Sequence, residues 1–363
     1  MQIVSSWMEH HPEHEYYLFS RVGLKFDIRK LPDNWQVISD PFIIDNKSLW
    51  FALKLPGLIK KYGIEVFWSP NFILPFFKNK NTEYVVTIHD LALFRYRGIA
   101  PYRAEIQIRL FLKQNIRVSK KVLTISESTK RDIIELFGAD PDKIAVTYAA
   151  GLSTDFAGGT EIEAVRTELI SERPFFLFIG TIEPRKNLTT ILQAYRIYRQ
   201  DKDRDGSDPK KKSNDGLTPR LVLAGGRGWH CDDIYNAIAS HPYSNDIIVP
   251  GFINDDEKRY LYEHAIAFLY PSLYEGFGIP VLEAYGYHLP VITARNSSLT
   301  EAGGDAAFYI ETYDAEAMAY HMHKIENMNE EELTELYKRM DAQLSAFSWR
   351  KCADETLAVL TMN

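Results

Sequence analysis

Tyr274-Glu275-Gly276-Phe277-Gly278-Ile279-Pro280-Val281-Leu282-Glu283 is the stretch that decides the fold. It follows Ala267-Phe268-Leu269-Tyr270, an apolar run of strand length. Gly276 and Gly278 let backbone N–H groups approach a ligand closely. Pro280 suits only the first turn of a helix, so a helix is predicted to begin near Ile279. Gly286 and Pro290 end it. A helix N-terminus then opens at the carboxyl end of a strand, where unpaired N–H groups and the helix dipole hold phosphate. Glu275 and Glu283 bracket this cradle. Carboxylates repel phosphate but accept hydrogen bonds from sugar hydroxyls, as an acidic residue does from a ribose diol in dinucleotide folds. The pattern implies a site for a sugar nucleotide. Either glutamate alone reads equally well as a solvated carboxylate at a helix end; the glycine loop between them favours function.

Working outward, strand and helix patterns alternate. Glu15–Phe19, Glu65–Trp68, Tyr84–Ile88 and Lys121–Ile125 read as short strands in the first half. Leu49–Tyr62, Tyr102–Ser119 and Glu127–Phe137 read as helices between them. In the second half, Phe175–Ile179, Arg220–Ala224, Asp246–Val249, Ala267–Tyr270 and Pro290–Thr293 read as strands. Leu188–Tyr198, Asp255–His264 and Ile279–Tyr285 read as helices. Such alternation predicts an α/β fold with parallel sheets. The chain has 363 residues, more than one core usually supports, so two domains are expected. Gly151–Gly159 reads as the linker. Asp201–Asp215 reads as a solvated loop. Ser348 caps a final helix whose Trp349, Cys352, Thr356 and Leu360 share one stripe.

Composition excludes several classes. Hydrophobic residues at 45% and charged residues at 25% are ordinary for a globular protein. A net charge of −7 argues against nucleic acid as a partner. Cys231 and Cys352 make no disulfide framework, which fits a reducing cytoplasm. No apolar run approaches the roughly 20 residues of a membrane span, and no signal peptide is visible. Neither observation excludes peripheral contact with the inner face of a membrane.

Five blocks occur in an order that resembles retaining glycosyltransferases of the two-Rossmann (GT-B) type, in the large group 1 (family 4) set that includes many bacterial mannosyltransferases. They are Val86-Thr87-Ile88-His89-Asp90, Thr124 to Lys130, Gly180-Thr181-Ile182-Glu183-Pro184-Arg185-Lys186-Asn187, Leu223 to Trp229, and Pro271 to Glu283. The last is similar to that family's E-x7-E signature. The match spans roughly residues 60 to 360, and the joint occurrence is far more specific than any one block. The resemblance implies two doubly wound Rossmann-like domains facing a cleft: an acceptor domain over 1–160 and a donor domain over 161–345. Residues 346–363 are then a helix crossing back to the first domain.

The resemblance also assigns roles. Glu275 contacts the transferred sugar and Glu283 holds the ribose diol. Arg185 and Lys186 bind the diphosphate; by themselves they are a basic pair at the carboxyl end of a strand, where an α/β sheet places ligands. Arg offers a fork of donors and Lys a point charge, suited to a leaving group gaining negative charge. His89 ends the strand Tyr84–Ile88; a lone histidine is usually structural, and the block match places it near the donor sugar. Asp90 reads alternatively as a cap. Gly180, Thr181, Gly276, Phe277, Gly278 and Ile279 line the donor, and Phe252 and Ile253 present backbone to the base.

No metal site is expected. His10, His11 and His14 lie near Glu9 and Glu13 but lack a recognised ligand spacing. Arg185, Lys186 and the helix dipole stand in for a cation. The expected function is retaining transfer of a sugar from a GDP- or UDP-linked donor to a hydroxyl of a glycan or lipid-linked acceptor, with no other cofactor. The alternatives are a non-catalytic sugar-nucleotide-binding subunit of a glycan-assembly complex, or a nucleotide-sugar epimerase or hydrolase. One departure from the family stands out. A doubly wound domain opens with a strand and a glycine-rich turn, yet here Ile3, Val4, Trp7 and Met8 recur at helical spacing and no glycine precedes Gly23. We expect the usual first strand and loop to be absent, with helix over about Met1 to His10. A very short strand at Ile3-Val4 is the alternative.

Overall fold

The computed structural model describes residues 2–22, 31–40, 49–96, 102–151, 173–206 and 218–362. Most of the Gly151–Gly159 linker, residues 207–215 of the polar run and the expected boundary at 160/161 lie outside these. The chain forms two compact units, residues 1–149 with 348–363, and residues 150–347.

In the first unit, helix Gln2–His10 precedes β1 (Tyr16–Ser20) and β2 (Trp35–Ser39), which pair in parallel as a two-stranded sheet. Residues 2–10 are therefore helix and not strand. Trp7 is buried among Trp35, Ala353 and Leu357, and its indole N–H donates to the Ala353 carbonyl at 2.8 Å. A parallel four-stranded sheet follows in the order β3 (Val66–Ser69), β4 (Glu83–Ile88), β5 (Lys121–Thr124) and β6 (Ile144–Val146). The predicted helix Leu49–Tyr62 is a π turn, Trp50–Lys54, running into α-helix Leu55–Lys61. Pro56 has no N–H to continue an α ladder backwards, which is where the pitch changes. The final helix, Trp349–Thr361, packs on helix Gln2–His10, and its apolar stripe meets both sheets of this unit. His11 Nε2 bonds Asp354 at 2.8 Å and Nδ1 bonds Glu13 at 3.1 Å, so this histidine ties the two helices together.

The second unit is a six-stranded parallel sheet. Its strands are β7 (Phe175–Ile179), β8 (Arg220–Ala224), β9 (Ile247–Gly251), β10 (Ala267–Tyr270), β11 (Val291–Ala294) and β12 (Phe308–Ile310). They lie in the order β12-β11-β10-β7-β8-β9. β10 and β11 are buried along their whole length and β7 along all but its last residue, so they read as continuous apolar runs. Chain order runs outward from β7 through β8 to β9, then returns to the other side of β7 at β10. The crevice beyond the carboxyl ends of β7 and β10 is thus a topological switch point, where open α/β sheets bind ligands.

Candidate active site

Three loops converge beyond the carboxyl ends of β7, β8 and β9. The Gly180 N–H donates to Ala224 O at 2.9 Å, the Gly225 N–H to Gly251 O at 2.8 Å, and the Ile182 N–H to Gly226 O at 2.9 Å. Gly225 has φ +143°, and a Cβ there would stand 1.9 Å from Gly180 O. Only glycine lets these loops approach so closely. Thr181 is exposed at this rim.

After β7, Pro184–Lys186 makes one 3-10 turn and Asn187 takes the left-handed conformation at φ 56°. Asn187 Nδ2 donates to Pro271 O at 3.2 Å, and the Leu273 N–H donates to Arg185 O at 2.8 Å. The turn is thereby sewn to the loop after β10. Lys186 Nζ lies 2.6 Å from Glu275 Oε1 and donates to Tyr270 Oη at 2.8 Å. Arg185 Nη1 lies 3.1 Å from Glu275 Oε2 and 2.8 Å from Tyr274 O, while Nη2 lies 2.7 Å from Glu183 Oε1. The side chains of Lys186 and Glu275 are only 9% and 11% exposed. Two cations and two carboxylates thus balance in a nearly dry cluster. Burial alone raises the Glu275 pKa, but Lys186 and Arg185 outweigh it and hold the group below the ordinary carboxylate value. For Arg185, burial opposes the charge while Glu275 and Glu183 raise its pKa on balance. Burial and Glu275 push Tyr270 well above its ordinary value, so its hydroxyl stays protonated.

Glu275 also anchors the glycine loop. Its N–H donates to Ser297 Oγ at 3.1 Å, and its carbonyl accepts from Ser298 Oγ at 2.7 Å. Gly278, at φ +110°, caps helix Ile279–Gly286, with Pro280 in its first turn. The Phe277 ring is buried against Phe347, so its side chain serves the core. Glu283 is not a solvated carboxylate either. Its side chain is 9% exposed and its Oε2 receives Lys258 Nζ at 2.7 Å and Tyr262 Oη at 3.2 Å. Phe252, 82% exposed, and Ile253 follow Gly251, whose φ is +75°, at the same end of the sheet.

His89 lies in the first unit, exposed at the end of β4. Its Nε2–H donates to Pro70 O at 2.8 Å. Asp90 Oδ1 accepts from the Ala92 N–H at 3.0 Å, an Asx turn just before helix Ala92–Arg95, whose N-cap is Leu91 rather than Asp90. Arg185, Lys186 and Glu275 meet in one cluster, and Glu283 stands one helical turn beyond the glycine loop. Glu183, Tyr270, Lys258 and Tyr262 escaped sequence reasoning. Glu183 sits inside the block Gly180–Asn187 and was legible from its place beside Arg185. The other three are ordinary aromatic and charged residues: Lys258 and Tyr262 meet Glu283 more than 20 residues on, and Tyr270 meets Lys186 84 residues away as well as nearby Glu275.

Comparison with known proteins gives a consistent result. The sequence profile described as "Glycosyl transferases group 1" matches residues 160–343, and that described as "Glycosyltransferase Family 4" matches residues 13–150. The chain is 28% identical to the O-antigen chain mannosyltransferase B of Escherichia coli, over 87% of this chain and 79% of that protein. It is 25% identical to the O-antigen chain mannosyltransferase RfbU of Salmonella typhimurium, over 77% and 70% respectively. Among solved structures, a glycosyltransferase from Rickettsia africae shares the fold with TM-score 0.69 at 17% identity, covering 99% of this chain and 93% of that one.

Proposed function

This chain belongs to the group 1 glycosyltransferases, with the two Rossmann-like domains of the GT-B fold, and transfers a sugar from a nucleotide sugar; from that premise we propose a retaining, metal-independent hexosyltransferase. The donor is a GDP- or UDP-linked sugar, with mannose favoured by the relatives named above. The acceptor is a hydroxyl of a glycan or lipid-linked glycan. The second unit takes the donor and the first the acceptor. The carrying observation is the buried cluster of Arg185, Lys186 and Glu275 at the switch point between β7 and β10, with a glycine-capped helix opening beside it.

In this proposal the diphosphate lies on Arg185, Lys186 and the first turn of helix Ile279–Gly286. Glu275, released in part from the two cations, accepts hydrogen bonds from sugar hydroxyls. Gly180, Thr181 and the backbone of Gly276 to Ile279 line the donor, Glu283 takes the ribose diol, and Phe252 and Ile253 meet the base. His89 borders the transferred sugar. The bond from the anomeric carbon to the diphosphate oxygen breaks while the acceptor oxygen attacks the same face, and the departing phosphate oxygen takes the acceptor proton. No protein nucleophile is required. Catalysis then rests on positioning and on stabilising the departing charge. A thermal-shift screen with GDP, UDP and their sugars identifies the donor, since a ligand of the native state raises apparent stability. Transfer to an acceptor glycan then separates an enzyme from a binding subunit. Binding without turnover, for any donor and acceptor pair, would overturn the catalytic reading.

The proposal includes peripheral contact with an anionic membrane through the first unit. Its support is a stripe on helix Tyr102–Val118. Arg103, Ile106, Leu110, Lys113 and Arg117 recur at three- and four-residue spacing and are all exposed, Leu110 at 65%, while Leu112 and Ile116 bury the opposite face. Asn115 Nδ2 holds Phe72 O at 2.8 Å, tying this helix to a loop that exposes Phe76 and Phe77. Apolar side chains between cations suit an acidic bilayer surface. Sedimentation with phosphatidylglycerol vesicles, abolished by Ile106→Asp with Leu110→Asp, checks this. Equal binding to neutral vesicles would count against it.

A further inference from the structure

Glu283 presents two oxygens in unequal surroundings. Oε2 is held by Lys258 Nζ at 2.7 Å and Tyr262 Oη at 3.2 Å. Among the described residues, no donor lies on Oε1. Lys258 and Tyr262 stand four residues apart, on one face of helix Asp255–His264. That helix is fixed at its start by a capping box. The Glu257 N–H donates to Asn254 Oδ1 at 2.8 Å, and the Asn254 N–H donates to Glu257 Oε2 at 2.9 Å. Tyr262 is fully buried, stacked on Tyr287 at 5.5 Å and set edge-on to Phe268 at 5.5 Å. The two donors therefore occupy fixed positions. A glutamate side chain has three rotatable bonds, and a carboxylate so little exposed requires a countercharge. Lys258 supplies the charge, and the pair of donors selects one rotamer.

We propose that Lys258 and Tyr262 are positioning residues that hold Glu283 so that Oε1 accepts the ribose diol of the donor nucleotide. This rests on the ribose role proposed above for Glu283. The same helix begins directly after Phe252 and Ile253, so one rigid element carries both the proposed base contact and the anchor of the ribose carboxylate. Lys258 and Tyr262 touch neither sugar nor phosphate in this scheme. Their loss degrades nucleotide recognition and leaves the transfer step intact at saturating donor.

Calorimetric Kd values for GDP and UDP and their 2′-deoxy counterparts test this, in the wild type and in Lys258→Met, Lys258→Arg and Tyr262→Phe. The wild type is expected to favour the ribonucleotide by about tenfold or more, as for loss of a hydrogen bond to a charged group. In Lys258→Met the ratio falls toward one, the KM for donor rises, and kcat is unchanged. Lys258→Arg restores most of the ratio. Tyr262→Phe keeps the ring stack, removes one donor and gives an intermediate ratio. A wild-type ratio of one would remove the ribose role of Glu283 and this inference with it. Discrimination by Lys258→Met and Tyr262→Phe equal to that of the wild type would overturn the positioning role alone.

Discussion

Replacing Glu275 by alanine removes the shared anion of Arg185 and Lys186. Among the described residues, Lys186, its side chain 9% exposed, keeps only the neutral Tyr270 hydroxyl as a close hydrogen-bond partner, whereas Arg185 retains Glu183 at 2.7 Å. Breaking a buried pair by deleting one partner costs about 3–5 kcal/mol, because an uncompensated charge stays behind. Glu183 still covers one of the two cations, so the lower end, about 3 kcal/mol, is expected. For a unit of this size that corresponds to a fall in Tm of about 6–12 °C. Thermal unfolding followed by circular dichroism measures it. The double substitution Glu275→Leu with Lys186→Met removes charge from both sides and should recover much of the loss. GDP or UDP should stabilise Glu275→Ala more than the wild type, since a diphosphate returns negative charge to the same two cations. A Tm for Glu275→Ala within about 1 °C of the wild type, well inside the spread of neutral surface substitutions, would refute the view that this cluster is an energetically coupled unit.

Three further outcomes are expected. Arg185→Ala and Lys186→Ala should each slow transfer by roughly 10²–10³-fold in steady-state assays with both substrates saturating, as for loss of one donor to a developing anion. Unfolding at a series of pH values should show the second unit losing stability as pH falls below 6.5: burial depresses the pKa of His241 and His321, so the unfolded chain binds more protons there. Below 4.5 a second loss follows as Glu275, whose pKa is also depressed in the fold, must be protonated, and a flat profile from pH 7 to pH 4 would contradict both assignments. Transfer should survive excess chelator, and abolition by chelator with rescue by Mg²⁺ or Mn²⁺ would contradict charge neutralisation by Arg185 and Lys186.

Local sequence determined the elements that local physics controls. Phe175–Ile179 and Ala267–Tyr270 are strands to the residue because a parallel strand buried on both faces is an unbroken apolar run. Helix Ile279–Gly286 begins and ends where Gly278, Pro280 and Gly286 dictate. The helix Gln2–His10 follows from the spacing of Ile3, Val4, Trp7 and Met8. Shorter pieces left little signal. Ile144–Val146 and Phe308–Ile310 are three residues each, below the length at which periodicity can be read, and their pairing comes from neighbouring strands. Helix Glu330–Ser345 was legible in principle, since Asn329 and Glu332 form a capping box.

The site divides in the same way. The glycines, the basic pair and the two glutamates are visible as residue types in order along the chain. Their pairing is not, because it depends on strand order. Lys186 and Glu275 are 89 residues apart and meet because the strand order reverses at β7 and brings β10 beside it. Lys258 and Tyr262, on one face of helix Asp255–His264, both reach Glu283 on helix Ile279–Gly286 from more than 20 residues away. A sequence shows where charges stand along a chain; which charges neutralise one another in a dry interior is decided by packing, since burial makes an unpaired charge too costly to leave.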